Sequence, residues 1–218
     1  RVEERAEVRA RCPQGVRRGD GGVAQGDARL LLAGEQRSIV TKALPRRDQG
    51  GAARCVARGR LAVRGYPDAA IRRSPEGAPV WPDTIVGSLA HDDEVAVAAI
   101  GFSSDYRALG VDVEPALRLP EEIRALVRHA DDRTPQGFDE ALMDRLLFCA
   151  KEAVYKAVFP LDYVMLDYED ISIDLVQGFA ETKVGRGVEL LYTLNSRISV
   201  LAYIKQHRTA SCVSPALV

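Results

Sequence analysis

One segment constrains the fold of this chain more than any other. Over about residues 138–159, Leu142, Leu146, Leu147, Ala150, Ala153, Val154, Ala157 and Val158 recur at helical spacing. They form one long apolar face, which needs a partner surface to cover it. Pro160 predicts the end of this helix. Strand patterns follow at 171–175, 187–194 and 197–204, with Asn195-Ser196 as a hairpin turn between the last two. A helix of this length beside sequential strands predicts an α+β class.

The first half repeats the order of helix and then strands. Helical patterns cover 34–44, ended by Pro45, and 52–63, stopped by Gly65. Residues 67–82 read as a loop and 85–89 as a strand. The apolar run 95–102 reads as a buried strand, and Ser103-Ser104-Asp105 turns the chain into a strand at 109–114. Those two strands are expected to form a hairpin. A further helix is expected over 121–130, with Pro120 at its first turn. Residues 1–28 should give an edge strand with loops, and 206–218 a loose tail. The reading is two similar lobes, 1–109 and 110–218, with a site at their junction.

The strand and the long helix also carry the chemistry. Asp112 and Glu114 flank Val113, so both carboxylates leave the same face of a strand. Neighbouring carboxylates oppose each other's ionisation, and a hard cation between them removes the conflict. The helix adds Glu152, with Lys151 and Lys156 beside it. Three acids for a metal and two cations for an anion are the inventory of a phosphate-transfer site. Taken alone, Glu152 and Lys156 also have the spacing of a surface ion pair. Upstream, Arg46, Arg47, Arg54 and Arg58 offer either bidentate phosphate contacts or a solvated basic face. His91, at a strand end, reads on its own as structural.

Composition narrows the class. The 218 residues are 46% hydrophobic and 28% charged with a net charge of −1, which fits a globular protein and not a polyanion binder. No apolar run approaches the roughly 18 residues of a membrane span, and no secretory leader is expected. Cys12, Cys55, Cys149 and Cys212 lack zinc or disulfide spacing and read as reduced thiols of a cytoplasmic protein.

Four blocks in order make the chain resemble a family. They are Arg46-Arg47 with Arg54; Gly77-Ala78-Pro79-Val80-Trp81-Pro82 through Gly87-Ser88-Leu89-Ala90-His91; Gly110-Val111-Asp112-Val113-Glu114-Pro115; and Leu147-Phe148-Cys149-Ala150-Lys151-Glu152-Ala153-Val154-Tyr155-Lys156-Ala157. Together they resemble the larger, pseudo-dimeric 4′-phosphopantetheinyl transferases of the enterobactin-pathway and actinobacterial branch. The resemblance implies two similar α/β lobes with coenzyme A in the cleft between them. It implies transfer of the phosphopantetheine arm to a serine of an acyl or peptidyl carrier protein, with release of 3′,5′-ADP. Asp112, Glu114 and Glu152 would hold magnesium, with manganese as an alternative. Arg46, Arg54 and His91 would contact the 3′-phosphate end of coenzyme A, and Lys151 and Lys156 its pyrophosphate. Glu152, directly or through a metal-bound water, is the expected base for the serine, and Lys151 the second choice. The enzyme is expected to be a monomer without nucleic-acid or membrane partners.

Three departures from the family pattern carry expectations of their own. Gly50-Gly51 should loosen the stretch after the Arg pair, since each glycine weakens a helix by about 1 kcal/mol. Glu76 stands where a cation is usual. Asp92-Asp93-Glu94 sets three acids beside His91, which is unfavourable unless they point elsewhere. Two other readings compete: a magnesium-dependent hydrolase of a phosphorylated small molecule using the same acids, and a non-enzymatic module whose Arg46, Arg47, Arg54 and Arg58 form a polyanion-binding stripe.

Overall fold

The structure, a computed structural model, describes residues 13–39 and 43–206. Expectations resting on 1–12 and 207–218, including those for Cys12 and Cys212, lie outside the described residues. Along the chain come β1 (Arg17–Gly22), a 3-10 turn (Asp27–Leu30), α1 (Ala33–Ile39), α2 (Leu44–Ala62), β2 (Arg72–Arg73), β3 (Pro79–Val80), β4 (Ile85–His91), β5 (Val95–Phe102) and β6 (Tyr106–Pro115). Then follow α3 (Glu121–Val127), α4 (Glu140–Asp162), a second 3-10 turn (Tyr168–Asp170), β7 (Ile171–Asp174), β8 (Phe179–Thr182), β9 (Gly187–Leu194) and β10 (Arg197–Lys205). Helix and sheet are mixed, as the sequence predicts. Among the described residues no helix is long and apolar enough to cross a membrane.

Two antiparallel sheets carry most of the packing. One has the order β1-β5-β4, which puts β1 at an edge, and the other the order β6-β10-β9-β8-β7. Helix α2 covers the first, with Ala57 and Leu61 against Ile85, Ala98 and Ile100. Helix α4 covers the second, with Leu146, Ala150, Ala153, Val154 and Ala157 against Ile173, Leu190, Ile198 and Val200. A third cluster, with Val97 and Ala99 of β5, Val111 and Val113 of β6 and Leu201 of β10, lies between the sheets.

The expected hairpin of β5 with β6 does not form. β5 pairs with β4 and β1, while β6 pairs with β10, Asp112 opposite Val200. The turn at 103–105 instead drops the chain from one sheet into the other. The reason is that β6 is used on both faces. Leu109, Val111 and Val113 face the cluster between the sheets, and Ala108 faces the α4 core. The two layers are stitched where the Val111 N–H donates to Ser88 Oγ of β4 at 3.0 Å.

Two prolines and two glycines behave differently from the sequence reading. Pro45 begins α2 instead of ending a helix, because a first-turn residue needs no amide donor. Gly50 and Gly51 are buried inside α2, and the stretch is not loose. A Cβ on Gly51 would lie 2.2 Å from the Asp27 carbonyl oxygen, so the glycine lets α2 touch the first 3-10 turn. Asp48 fastens that contact by accepting from the Ala28 N–H at 2.8 Å. Pro160 lies within the last turn of α4, which ends two residues later and is closed by Tyr163 in the left-handed region at φ 53°. At its other end Asp139 caps α4, accepting from the Leu142 N–H at 3.1 Å.

Candidate active site

The site begins with how closely β6 lies on α4. A Cβ on Gly110 would sit 1.9 Å from the Ala153 carbonyl oxygen, so only glycine allows this approach. Two and four residues along the same face come Asp112 and Glu114. On α4, Glu152 and Lys156 lie one turn apart, and Lys156 reaches the strand's acids. Lys156 Nζ donates to Asp112 Oδ1 at 2.5 Å, across β6 and α4, and does not form the surface pair with Glu152 that the spacing alone allows. Glu114 pairs with Arg145 of α4 at 2.8 Å. Arg145 also donates to the carbonyls of Leu117 and Arg118 at 2.8 and 2.9 Å. Glu152 Oε1 accepts from the Tyr168 hydroxyl at 2.9 Å.

The electrostatics are those of crowded acids in a half-dry place. Burial raises the Glu114 carboxyl, and the Asp112 charge raises it further, against the pull of Arg145. Burial pushes the Cys149 thiol well up, and Asp112 and Glu114 add to it, so the thiol keeps its proton. Burial by itself would lower the Lys156 ammonium, but attraction to Asp112 lifts it above its ordinary value. Burial also raises the Tyr168 hydroxyl, with Glu152 next in effect, so the phenol acts as a donor.

The acids fit a divalent cation in part. Among the described residues no three such groups already converge as a cage. Yet Asp112 Oδ2 is buried and has no partner among the described residues, beside a second carboxylate on the same face. An oxygen-only donor set of this kind suits magnesium or manganese.

Lys151 requires a correction. It is fully buried, and its ammonium donates to the Val127 carbonyl at 2.8 Å and the Tyr168 carbonyl at 3.0 Å, and pairs with Asp132 at 2.8 Å. On a helix, adjacent residues point about 100° apart, so Lys151 cannot share the face of Glu152. With its three protons engaged, it serves neither as a pyrophosphate ligand nor as a base.

The remaining residues meet at a hollow of about 430 Å³. Arg46 and Arg54 from α2, Arg73 from β2, and Ser88 and His91 from β4 line it, with Lys156 and Tyr155 from α4. Arg54 is buried, donating to the Ile71 and Gly50 carbonyls at 2.8 and 3.1 Å. Arg58 pairs with the buried Glu35 at 2.6 Å. With Arg54 and Arg58 engaged inside the protein, Arg46, Arg47, Arg54 and Arg58 form no continuous exposed stripe, which weakens the polyanion-binding alternative. The acids after His91 line a neighbouring hollow with His91 and Arg46, but each has a partner: Asp92 and Glu94 bond to Arg197, and Asp93 accepts from Gln49 at 2.9 Å. Glu76 lines the hollow, but so does Arg73, which donates to the Gly77 carbonyl at 2.9 Å. Sequence reasoning missed Arg73 because residues 67–82 read as loop. The short β2–β3 pairing, Arg73 opposite Pro79, is what brings it to the hollow. Tyr168 was missed as well, since nothing in its neighbourhood marks it.

Comparison with known proteins gives the family. Residues 35–101 match the 4′-phosphopantetheinyl transferase N-terminal domain, and residues 108–199 match the 4′-phosphopantetheinyl transferase superfamily. The chain is similar to the 4′-phosphopantetheinyl transferase Npt of Nocardia iowensis, 42% identical over 144 residues, which are 64% of each chain. It is 34% identical over 156 residues to the 4′-phosphopantetheinyl transferase Svp of Streptomyces mobaraensis, covering 69% of this chain and 63% of that one. It is 38% identical over 138 residues to the 4′-phosphopantetheinyl transferase PptT of Mycobacterium tuberculosis, covering 62% and 61%. The chain thus spans a little under two thirds of the length of each of these relatives. With both halves matched in order, the chain belongs to the 4′-phosphopantetheinyl transferase superfamily, in its actinobacterial branch.

Proposed function

We propose that this chain transfers the 4′-phosphopantetheine arm of coenzyme A to a serine of an acyl or peptidyl carrier protein, releasing 3′,5′-ADP. One observation carries the reading: a single hollow is lined by Arg46, Arg54, Arg73 and His91 together with Lys156, which is bonded to Asp112. That distribution of cations suits a ligand with a phosphate at one end and a pyrophosphate further along. Arg46, Arg54 and His91 take the 3′-phosphate, with Arg73 supplying the charge that Glu76 does not. Lys156 takes the pyrophosphate. Asp112, Glu114 and Glu152 would hold magnesium, or manganese in its place. When bound, the metal supplies charge neutralisation at the pyrophosphate and the departing 3′,5′-ADP.

The chain's own groups do the rest. Tyr168 occupies Oε1 of Glu152, so the second oxygen receives the serine proton. The serine oxygen forms the new bond to the phosphorus that bears pantetheine, and the bond from that phosphorus to 3′,5′-ADP breaks. The two sheets with their helices are read as related lobes, with coenzyme A between them. The lobes are taken as 1–109 and 110–218, with β6, Tyr106–Pro115, as the strand that both share. The protein is placed in the cytoplasm as a monomer. Its free thiols at Cys55 and Cys149 are in keeping with a reducing compartment.

The test is labelling of apo carrier proteins by coenzyme A, with and without a chelator. Metal-dependent labelling is expected, and Glu152→Ala should abolish it while leaving the fold intact. Folded protein that labels no carrier, or a Glu152→Ala variant at near wild-type rate, refutes the reading.

A further inference from the structure

Two features are unexplained by the scheme above: the buried ammonium of Lys151, and what sets the Tyr168 phenol on Glu152. They belong to one construction. Lys151 Nζ holds three separate segments to α4. These are the end of α3 through the Val127 carbonyl, the following loop through Asp132, and the second 3-10 turn through the Tyr168 carbonyl. Asp132 passes the connection on, accepting from the Ile173 N–H of β7 at 2.9 Å. The 3-10 turn is closed by a capping box between Asp167 and Asp170, and Lys183 pairs with Asp170. The Tyr168 ring packs on Phe148 of α4, with centroids 5.8 Å apart. Backbone and ring are both fixed, so the hydroxyl arrives at Glu152 Oε1 from a set direction.

We propose that Tyr168 is a positioning residue that fixes the Glu152 carboxylate, and that Lys151, one residue before Glu152, is the buried anchor that fixes Tyr168. This rests on the transferase reading for what Glu152 does, but not for how Glu152 is held. A glutamate has three rotatable bonds and stands on a helix face that opens to a hollow of about 250 Å³, also lined by Tyr155, Met165 and Tyr168. Without a donor on Oε1 its carboxylate would sample several directions. A donor mounted on an immobile backbone removes that freedom before substrate arrives. The KE pair in the sequence then has a division of labour: the lysine holds the frame and the glutamate does the chemistry.

Tyr168→Phe is the decisive variant, because it keeps the ring on Phe148 and the backbone on Lys151 and removes only the hydroxyl. The expected result is a fall in kcat for carrier labelling of about tenfold or more, the usual scale for losing a group that orients an active residue. The dissociation constant for coenzyme A and the KM should stay within about twofold, and the thermal midpoint within about 2 °C. A wild-type kcat overturns the proposal, as does a loss of kcat matched by a loss of thermal stability. Crystal structures of the wild type and Tyr168→Phe give a readout independent of turnover: the Glu152 carboxylate should leave its wild-type position in the variant. An unmoved Glu152 overturns the proposal. Wild-type protein that labels no carrier would sink the transferase reading, and the pair of crystal structures would still decide the positioning.

Discussion

Gly110→Ala puts the strand–helix contact at the centre of the site to a direct test. The new Cβ would stand 1.9 Å from the Ala153 carbonyl oxygen, where ordinary contact begins at 3.4 Å. It would also stand 2.7 Å from the Ala157 amide nitrogen. Both atoms are helix backbone, so no side chain can rotate away, and α4 must retreat from β6 by about 1.5 Å, the shortfall of the closer contact. Overpacking a rigid interior of this kind costs about 3 kcal/mol. For a chain of 218 residues that lowers the thermal midpoint by roughly 6–12 °C. The same retreat carries Glu152 and Lys156 away from Asp112, and a 1 Å misplacement of reacting groups can cost about 100-fold in rate. Thermal denaturation and carrier labelling on the same preparation measure both effects, at a temperature where the variant is fully folded. A variant that melts with the wild type and labels at the wild-type rate would show that the close approach of β6 to α4 does not govern the site.

Two further outcomes are expected. Lys151→Met should strip the buried Asp132 carboxylate of its cation and cost about 3–5 kcal/mol in chemical denaturation, yet leave the coenzyme A dissociation constant of the folded fraction within about twofold; weakened binding at full stability would return Lys151 to the ligand set. Asp162 is held below its ordinary carboxyl range by its hydrogen bond and charge pairing with Arg186. A depressed folded value adds stability above the unfolded pKa, and that stability is lost as pH falls through the folded one. Asp162→Asn should therefore cost up to about 1 kcal/mol at pH 7 and nothing once the pH drops well below 3.8, and a penalty independent of pH would contradict the assignment.

What was legible in the sequence follows the range of the physics involved. Period-2 and period-3.6 patterns are local, so β5, β9, β10 and the span of α4 appear almost where expected. Asp112 and Glu114 share a face because a strand's alternation leaves no other choice. The pairing of β6 was not local: which sheet it joins depends on β10, far along the chain, and on cover from both layers. Pro45 and Pro160 were read as breaks, because a proline at a helix end looks the same in sequence whether it starts, stops or closes the helix. The buried place of Lys151 was hidden for a like reason. Beside Glu152 it looks like a second reactive group, and only the carbonyls of Val127 and Tyr168, brought in by tertiary packing, show what occupies it.

The placement of β10 between β6 and β9 also bears on how the protein emerges during synthesis. Asp112 is tied to its sheet through Ser199, 87 positions later. At about 5–20 residues per second, β6 waits roughly 4–17 s on the ribosome before its neighbour exists. During that interval β6 lacks the strand that will pair with both it and β9. Exposed strand edges of this kind invite pairing with other nascent chains. Covering by α4, which is made before β10 and packs on β6 through Gly110, protects one face of the acid-bearing strand, as β5 protects the other.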